Sequence, residues 1–462
     1  MSKLIISISG VRGIIGETLG PTEALNFGLA YGTFLQENNQ SEAAPKVCLG
    51  RDSRPSGPMV LAALDAGLRA TGCQTVNVEL VTTPGVALMC RFLQCQGGVV
   101  VTASHNPVAY NGIKFLRHDG IAYPAEQVTR IHQIYYDQGF TQQDALHVGA
   151  GSTDSRTHAV HVDTVLQLVD KTAIRAKRFK VVLDSINGAG CVVSAQLLGE
   201  LGCELIHVNN RPTGIFAHTP EPTAENLADL GPEVKKHGAV VGFAQDPDAD
   251  RLALVDEQGN YIGEEYTLAL AAKYMFGKKK GAAAANLSTS RMIDDLAGAS
   301  GCSVIRTPVG EAHVANAMLE NECVIGGEGN GGVIDLRVVP VRDSLVGMAL
   351  ILQLLAESQK PLSELVAEIP SYHMTKTKFA CPADQTGPVL EAVKDHFGRV
   401  EQGQDVRIDT RDGIRVDVGN AWVQLRASNT EPIMRLIAES PSEERTAALI
   451  DEVQGLISNV SS

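Results

Sequence analysis

Short apolar runs, each stopped by a polar or glycine-rich loop, alternate along the chain with helical stretches, and one order of elements returns three times. The first copy opens on a predicted strand from Lys46 to Leu49. The loop Gly50-Arg51-Asp52-Ser53-Arg54-Pro55-Ser56-Gly57 follows, then a helix from Val60 to Arg69 that stops at Thr71-Gly72-Cys73. A second strand passes through Val76 and Val78 to Thr82-Thr83-Pro84-Gly85. The third, Val99-Val100-Val101, reads as a short, fully buried strand that gives way to Thr102-Ala103-Ser104-His105-Asn106-Pro107.

In the second copy Val181 to Leu183 opens into Asp184-Ser185-Ile186-Asn187-Gly188-Ala189-Gly190, and a helix ends at Leu201-Gly202-Cys203. A strand then reaches Arg211-Pro212-Thr213-Gly214, and Ala239 to Phe243 ends in Asp246-Pro247-Asp248-Ala249-Asp250-Arg251. The third copy runs from Ala283 to Leu287 through a helix ending at Ser300-Gly301-Cys302 and through Val304-Ile305 to Thr307-Pro308-Val309-Gly310. Its last strand, Cys323 to Ile325, ends in Gly326-Gly327-Glu328-Gly329-Asn330-Gly331-Gly332.

The last quarter departs from the repeat. Pro361 and Pro370 bracket an expected linker; beyond it come strand-like stretches (Val406 to Ile408, Gly413 to Val418, Trp422 to Leu425) and a closing helix from Glu443 to Ile457. The predicted fold class is therefore α/β: three tandem related α/β domains with mixed sheets, plus a smaller α+β C-terminal domain, around a central cleft. In each copy the third strand delivers the most unusual loop. Copies facing a common cleft would bring Ser104, the three aspartates and Glu328 together there.

Composition changes this picture little. A chain of 462 residues, 44% hydrophobic, has the length for several domains and the make-up of an ordinary globular protein. Lys+Arg 39 against Asp+Glu 53 leaves a net charge of -14, which argues against nucleic acid or an anionic membrane as partner. Nine cysteines are scattered singly with no C-x-x-C spacing, so neither a zinc ribbon nor a disulfide framework is expected. The first residues are too soon charged for a signal peptide, and no apolar run approaches the roughly 20 residues of a membrane span. A cytoplasmic protein is expected.

The loops carry the chemistry. Ser104 follows the carboxyl end of a buried strand, where open α/β sheets place their sites, although a serine in a turn can equally serve the backbone. No G-x-S-x-G elbow surrounds it. Asp246, Asp248 and Asp250 repel one another unless a cation or Arg251 compensates, and all-oxygen ligands select a hard ion such as Mg²⁺. In a straight strand alternate side chains lie about 7 Å apart, too far to share an ion with ligands at about 2.1 Å, so the segment must curl. An EF-hand is excluded because Arg251 stands where the loop glycine belongs; a solvated acidic turn is the alternative, but such turns rarely follow a buried strand without pause. Gly327 to Gly332 formally matches G-x-G-x-x-G, but Val333-Ile334-Asp335-Leu336 is not a helix start, so a nicotinamide site is not indicated. A carboxylate and an amide on glycines suit sugar hydroxyls, and a flexible turn would look the same. Arg426, Ser428, Asn429, Thr430 and Arg435 offer what a phosphate dianion needs.

Together, Thr102-Ala103-Ser104-His105-Asn106-Pro107, Asn111-Gly112-Ile113-Lys114, the Asp246, Glu328 and Arg426 loops, Gly10-Val11-Arg12-Gly13 and Gly50-Arg51-Asp52 resemble the α-D-phosphohexomutases, in order and over essentially the whole chain. The resemblance implies a four-domain enzyme moving phosphate between O6 and O1 of a hexose. Residues 1–150 would form a phosphoserine domain, 151–257 a metal-binding domain, 258–368 a sugar-binding domain and 369–462 a phosphate-binding lid. Ser104 would be the phosphoserine, with one Mg²⁺ held by its phosphate and by Asp246, Asp248 and Asp250. Lys114 and His105 would serve near the transferring group, and Arg12 and Arg251 at the phosphoserine. Thr307, Gly310, Glu328 and Asn330 would face the sugar; Arg426, Ser428, Asn429, Thr430 and Arg435 would grip the other phosphate. A hexose 1,6-bisphosphate would be both intermediate and activator.

Two departures bear on substrate and acid-base chemistry. Relatives with Gly-Glu-x-Ser-Gly-His in the sugar loop carry Ser and His where this chain has Asn330 and Gly332, which leaves Lys114 as the better acid-base candidate. Asn429 replaces a glycine of the phosphate loop. Both forms look most like the archaeal-type phosphoglucosamine mutases, which implies glucosamine 6-phosphate as substrate, with phosphomannomutase/phosphoglucomutase activity as the alternative. A Mg²⁺-dependent sugar phosphatase or a non-catalytic sugar-phosphate sensor would be readings outside the class.

Overall fold

Each copy of the repeat folds into the same four-stranded unit. The computed structural model describes residues 4–7, 10–400, 406–427 and 433–460. In the first unit Lys46–Arg51 lies between Gln74–Leu80 and Gly97–Val101, both parallel to it, and Tyr110–Arg117 runs antiparallel beside Gly97–Val101. In the second, Lys180–Asp184 lies between Glu204–Val208 and Val241–Gln245, with Leu252–Asp256 antiparallel on the outside. Ala282–Asn286, Ser303–Thr307, Ile325–Glu328 and Gly332–Ile334 repeat that order in the third. Parallel neighbours end at the same edge, so the loops after the first and third strands of each unit emerge side by side.

The first sheet is widened to seven strands by Ile5–Ser7 and Gly10–Ile14 at one edge and Gly151–Thr153 at the other, so this unit reaches past residue 150. The fourth unit is an antiparallel sheet, ordered His373–Ala380, Ile433–Ser440, Ala421–Ala427, Ile414–Val418, Val406–Asp409, with helices Ala383–Val400 and Glu443–Val460. The fold class is thus the expected one, three α/β units with mixed sheets and a smaller α+β unit.

The strand Gly97–Val101 ends before Thr102, as expected, and two other local features differ from the sequence reading. Thr82 caps the helix Thr83–Phe92 by accepting from Gly85 N at 3.0 Å, so Thr83 opens a helix where a loop was expected. The strand Ile325–Glu328 continues through two glycines that predicted a loop, because the sheet has no room for side chains there: a Cβ on Gly326 would stand 2.3 Å from Met318 Sδ.

One apolar core runs through the first three units. At its centre lies the helix Ser344–Ser358, buried from Ser344 through Ala356 and packed against Glu265–Lys278, Thr157–Leu166 and Lys171–Lys177. The fourth unit has its own core, with Val389, Phe397, Val416, Leu436 and Leu449. It meets the third through polar contacts: Arg415 Nη1 donates to Leu287 O (2.5 Å), Arg291 Nη1 to Gly419 O (2.9 Å) and Ser288 Oγ to Gln424 Oε1 (2.6 Å). A separate core behind a polar interface suits a domain that shifts as a body. All nine cysteines are free, and among the described residues no helix is long and apolar enough to cross a membrane.

Candidate active site

Ser104 is almost fully buried and adopts a left-handed backbone (φ 48), which costs an L-residue with a side chain about 1–2 kcal/mol. Its surroundings enforce that conformation. Ser104 N donates to Thr102 Oγ1 (2.9 Å), whose hydroxyl donates to the buried Asp52 carboxylate (2.7 Å). Arg54, fully buried, pairs through Nε with Asp52 (3.1 Å) and gives its four remaining hydrogens to the loop. Nη2 donates to the carbonyls of Ser104 (2.7 Å) and Asn106 (2.6 Å), and Nη1 to those of Pro107 (2.7 Å) and Tyr110 (3.0 Å). One guanidinium thereby holds the whole turn.

The Asp246 loop follows Val241–Gln245 and curls at Ala249 (φ 56), as the spacing required. Asp246, Asp248 and Asp250 are fully buried, and one oxygen from each lies within 4.8 Å of the others. Asp246 Oδ2 accepts from Ser104 Oγ at 3.0 Å, which joins the first and second units at this point. Its Oδ1 takes the backbone N–H groups of Asp250 and Arg251. Asp248 Oδ2 accepts from Thr83 Oγ1 (2.6 Å) and Lys114 Nζ (2.9 Å); Asp250 Oδ2 accepts from Arg342 Nη2 (2.6 Å). Asp248 Oδ1 and Asp250 Oδ1 remain buried with no hydrogen-bond partner. An all-oxygen donor set with two orphaned carboxylate oxygens fits a hard divalent cation. Burial and the two neighbouring aspartates push Asp246 well above the usual carboxylate range. Asp248 is held well below it, Lys114 and Thr83 outweighing burial.

Four cations and His105 surround this loop. Burial would lower the Lys114 ammonium, but Asp248 and Asp250 raise it overall, so Lys114 is held charged. Arg12 donates through Nη1 to Asn106 Oδ1 (2.8 Å), and Arg251 Nε lies 3.9 Å from Asp250 Oδ1. His105 Nδ1 is 3.3 Å from Ser104 Oγ; burial and the charges of Arg251 and Arg12 push the imidazole down to about 2, so it is neutral.

In the third unit Glu328 Oε1 accepts from Asn286 Nδ2 (2.7 Å) and Gly310 N (3.2 Å), and Oε2 from Arg342 Nη1 (2.7 Å) and Asn330 Nδ2 (3.4 Å). Against burial, these donors keep the carboxyl low. Gly310 (φ 134) occupies a conformation that favours glycine, and Asn330 Oδ1 is buried without a hydrogen-bond partner. Thr307 turns its hydroxyl to Pro308 O (2.9 Å). In the fourth unit Arg426 and Arg435 are directly opposed on neighbouring strands, with Lys378 opposite Arg435 on its other side. Three like charges in one row across a sheet repel, and an anion would relieve them. Arg426 Nε lies 3.4 Å from Asp412 Oδ2, which also accepts from Val309 N (2.9 Å), beside Gly310. Ser428, Asn429 and Thr430 lie outside the described residues.

Arg54, Thr83, Arg342 and Lys378 were missed by sequence reasoning. Neither Arg342 nor Lys378 had a sequence signal: nothing in Val338-Val339-Pro340-Val341-Arg342 marks the arginine, and only the sheet register sets Lys378 beside Arg435. A further, half-buried group underlies the sugar loop. Glu265 accepts from Ser290 N (3.0 Å), and a Cβ on Gly329 would come within 2.0 Å of its Oε2. Burial raises Glu265 from 4.5 to about 7 against the pull of Lys376. Between those values the folded chain holds a proton that the unfolded chain has released, so stability falls as pH rises through the window. Glu265→Gln removes this slope: its melting point relative to wild type is expected to rise between about pH 5 and about pH 8, by the equivalent of about 3 kcal/mol at most. A pH-independent difference contradicts that.

Comparison with known proteins agrees with the geometry. Family models described as phosphoglucomutase/phosphomannomutase alpha/beta/alpha domains I, II and III match residues 4–142, 159–259 and 263–372, and the C-terminal domain model matches 377–456. A phosphoglucomutase/phosphomannomutase of Thermococcus kodakarensis is 38% identical over 444 residues, 96% of each chain. A probable phosphoglucosamine mutase of Methanopyrus kandleri is 38% identical over 451 residues, 97% of this chain and 96% of that one. The crystal structure of a phosphoglucomutase/phosphomannomutase family protein from Burkholderia thailandensis superimposes with a TM-score of 0.87 at 26% identity, covering 99% of this chain and 97% of that one. The four domain matches, in order over nearly the whole chain, define a phosphohexomutase-type enzyme. The chain belongs to the phosphoglucomutase/phosphomannomutase family of α-D-phosphohexomutases and is a phosphohexomutase, an intramolecular phosphotransferase of the isomerase class.

Proposed function

We propose that the chain converts glucosamine 6-phosphate to glucosamine 1-phosphate through phosphoserine at Ser104 and a bisphosphorylated sugar. The observation that carries the route is the 3.0 Å hydrogen bond from Ser104 Oγ to Asp246, inside a buried trio with two orphaned carboxylate oxygens. Asp246, Asp248 and Asp250, with the Ser104 phosphate, would hold Mg²⁺, which when bound supplies positive charge beside the transferring phosphoryl oxygens.

The phosphoryl group passes from Ser104 Oγ to the sugar O1, which loses its proton as the P–O bond forms, while Oγ regains one. The bisphosphate turns in the cleft, its O6 phosphoryl group returns to Ser104 as Oγ gives up a proton and O6 takes one up, and hexose 1-phosphate leaves. A hexose 1,6-bisphosphate therefore also primes an unphosphorylated chain. Lys114, held as an ammonium beside Asp248, would give Oγ its proton and be recharged by the one the sugar hydroxyl loses, while His105, held neutral, contacts Oγ. Arg12 and Arg251 offset the phosphoryl charge, since such transfer is mainly positioning and charge compensation. Glu328 and Asn330, with Thr307 and Gly310, orient the hydroxyls.

Arg426, Arg435 and the residues Ser428, Asn429 and Thr430 grip the non-reacting phosphate. Arg435→Ala is expected to raise KM for hexose phosphate about tenfold or more, with a smaller loss in kcat; an unchanged KM in steady-state assays removes the clamp role. The Gly-Gly-Glu-Gly-Asn-Gly-Gly loop and relatives named probable phosphoglucosamine mutases support the amino sugar. The Thermococcus kodakarensis relative supports glucose or mannose phosphate instead. Side-by-side kcat/KM values on the three 6-phosphates decide between them.

A further inference from the structure

We propose that Arg342 is a positioning residue that ties the metal site to the sugar site, one guanidinium orienting a carboxylate of each. The proposal rests on the reading of Asp250 as a metal ligand and of Glu328 as a sugar-facing group.

Arg342 divides its donors among three carboxylates from three separate elements. Nη2 goes to Asp250 Oδ2 (2.6 Å), Nη1 to Glu328 Oε2 (2.7 Å) and Nε to Glu311 Oε2 (2.9 Å), at the start of the helix Glu311–Glu320. The same Glu311 oxygen also accepts from Arg342 N (3.0 Å), which fixes where the side chain begins. The following residues anchor it further. Asp343 caps the central helix by accepting from Leu345 N (2.9 Å), and Ser344 Oγ donates to Ala249 O (2.6 Å), inside the aspartate loop itself. Gly332 leaves room for the stem: a Cβ there would stand 2.1 Å from Arg342 Cδ. The arginine stem thus takes the space of a side chain at 332.

The consequence for each site is directional. With Oδ2 on Arg342, Asp250 keeps its other oxygen, Oδ1, buried and without a hydrogen-bond partner; with Oε2 on Arg342, Glu328 is fixed and held ionised. Only a planar fork with separate edges can satisfy three carboxylates at once, and a lysine has one point charge to offer. Groups of this kind around metal ligands are worth about 10–100-fold in affinity.

Arg342→Lys keeps the charge and removes the fork, so it separates positioning from simple neutralisation. Two constants are read: the Mg²⁺ dissociation constant of the unphosphorylated protein by calorimetry without sugar, and KM for hexose 6-phosphate. Both are expected to rise about tenfold in Arg342→Lys. Glu328→Gln should raise KM alone. In Arg342→Lys/Glu328→Gln the KM should be no worse than in Glu328→Gln, while the Mg²⁺ defect persists, because Arg342 reaches the sugar only through Glu328. If Arg342→Lys fails to fold, Glu311→Gln loosens the same guanidinium and should move both constants the same way by about threefold. Arg342→Lys with both constants at wild-type values, or with one moved and not the other, overturns the proposal. A wild-type protein that binds no Mg²⁺ overturns the metal reading of the aspartates, and the proposal with it, whereas the sugar arm reports on Glu328 independently.

Discussion

Replacing Ser104 by alanine is expected to lower mutase turnover by about four orders of magnitude or more, while affinity for hexose phosphate stays within a few-fold of wild type. Ser104 Oγ is the atom that reaches the aspartate trio, and the groups offered to sugar and distal phosphate come from other units. Alanine accepts the same left-handed backbone at the same strain as serine, so the loop should keep its path. Loss is therefore expected in kcat and not in binding. A coupled assay with calorimetric binding of hexose 6-phosphate checks both. Turnover within a hundredfold of wild type would place the phosphoryl carrier elsewhere.

Arg54→Met is the second large effect, and it falls on stability. Methionine nearly matches the volume but leaves Asp52 buried without its cation, and breaking a buried pair this way costs about 3–5 kcal/mol. The carbonyls of Ser104, Asn106, Pro107 and Tyr110 lose their donor in the same change. Arg54 also lies over the Phe216 ring at 4.9 Å, so the contact between first and second units weakens. The first thermal transition should drop by roughly 10 °C, at about 2–4 °C per kcal/mol for a unit of this size. Arg54→Lys should recover little, because one ammonium cannot reach four carbonyls and a carboxylate together. A melting point within about 2 °C of wild type would show that the turn is held by other means.

Much of this was legible in the sequence because the repeat is written in local signals. A β-branched run, a helix stop at Gly-Cys and a curled acidic loop each depend on neighbours in the chain. The convergence of Ser104 with the Asp246 loop followed from the order of the copies. What stayed hidden depends on packing. The helix Ser344–Ser358 is apolar all round, so it shows no 3.6-residue face against which to read it. The helix Ala383–Val400 contains Pro388, and the strand His373–Ala380 has little burial to impose alternation. Arg342 and Arg54 act through long-range pairs that no spacing records. Gly332 in the sugar loop has a steric reason in the Arg342 stem.

The account stands most directly on the intact mass of the purified protein before and after isotopically labelled hexose 1,6-bisphosphate, and on the fate of the label in a chase with unlabelled hexose 6-phosphate. A gain of about 80 Da, absent from Ser104→Ala, whose label passes into the hexose phosphates while the phosphoserine is renewed, is the predicted result. A wild-type chain that gains no mass, or keeps its label through turnover, would contradict a phosphoserine relay.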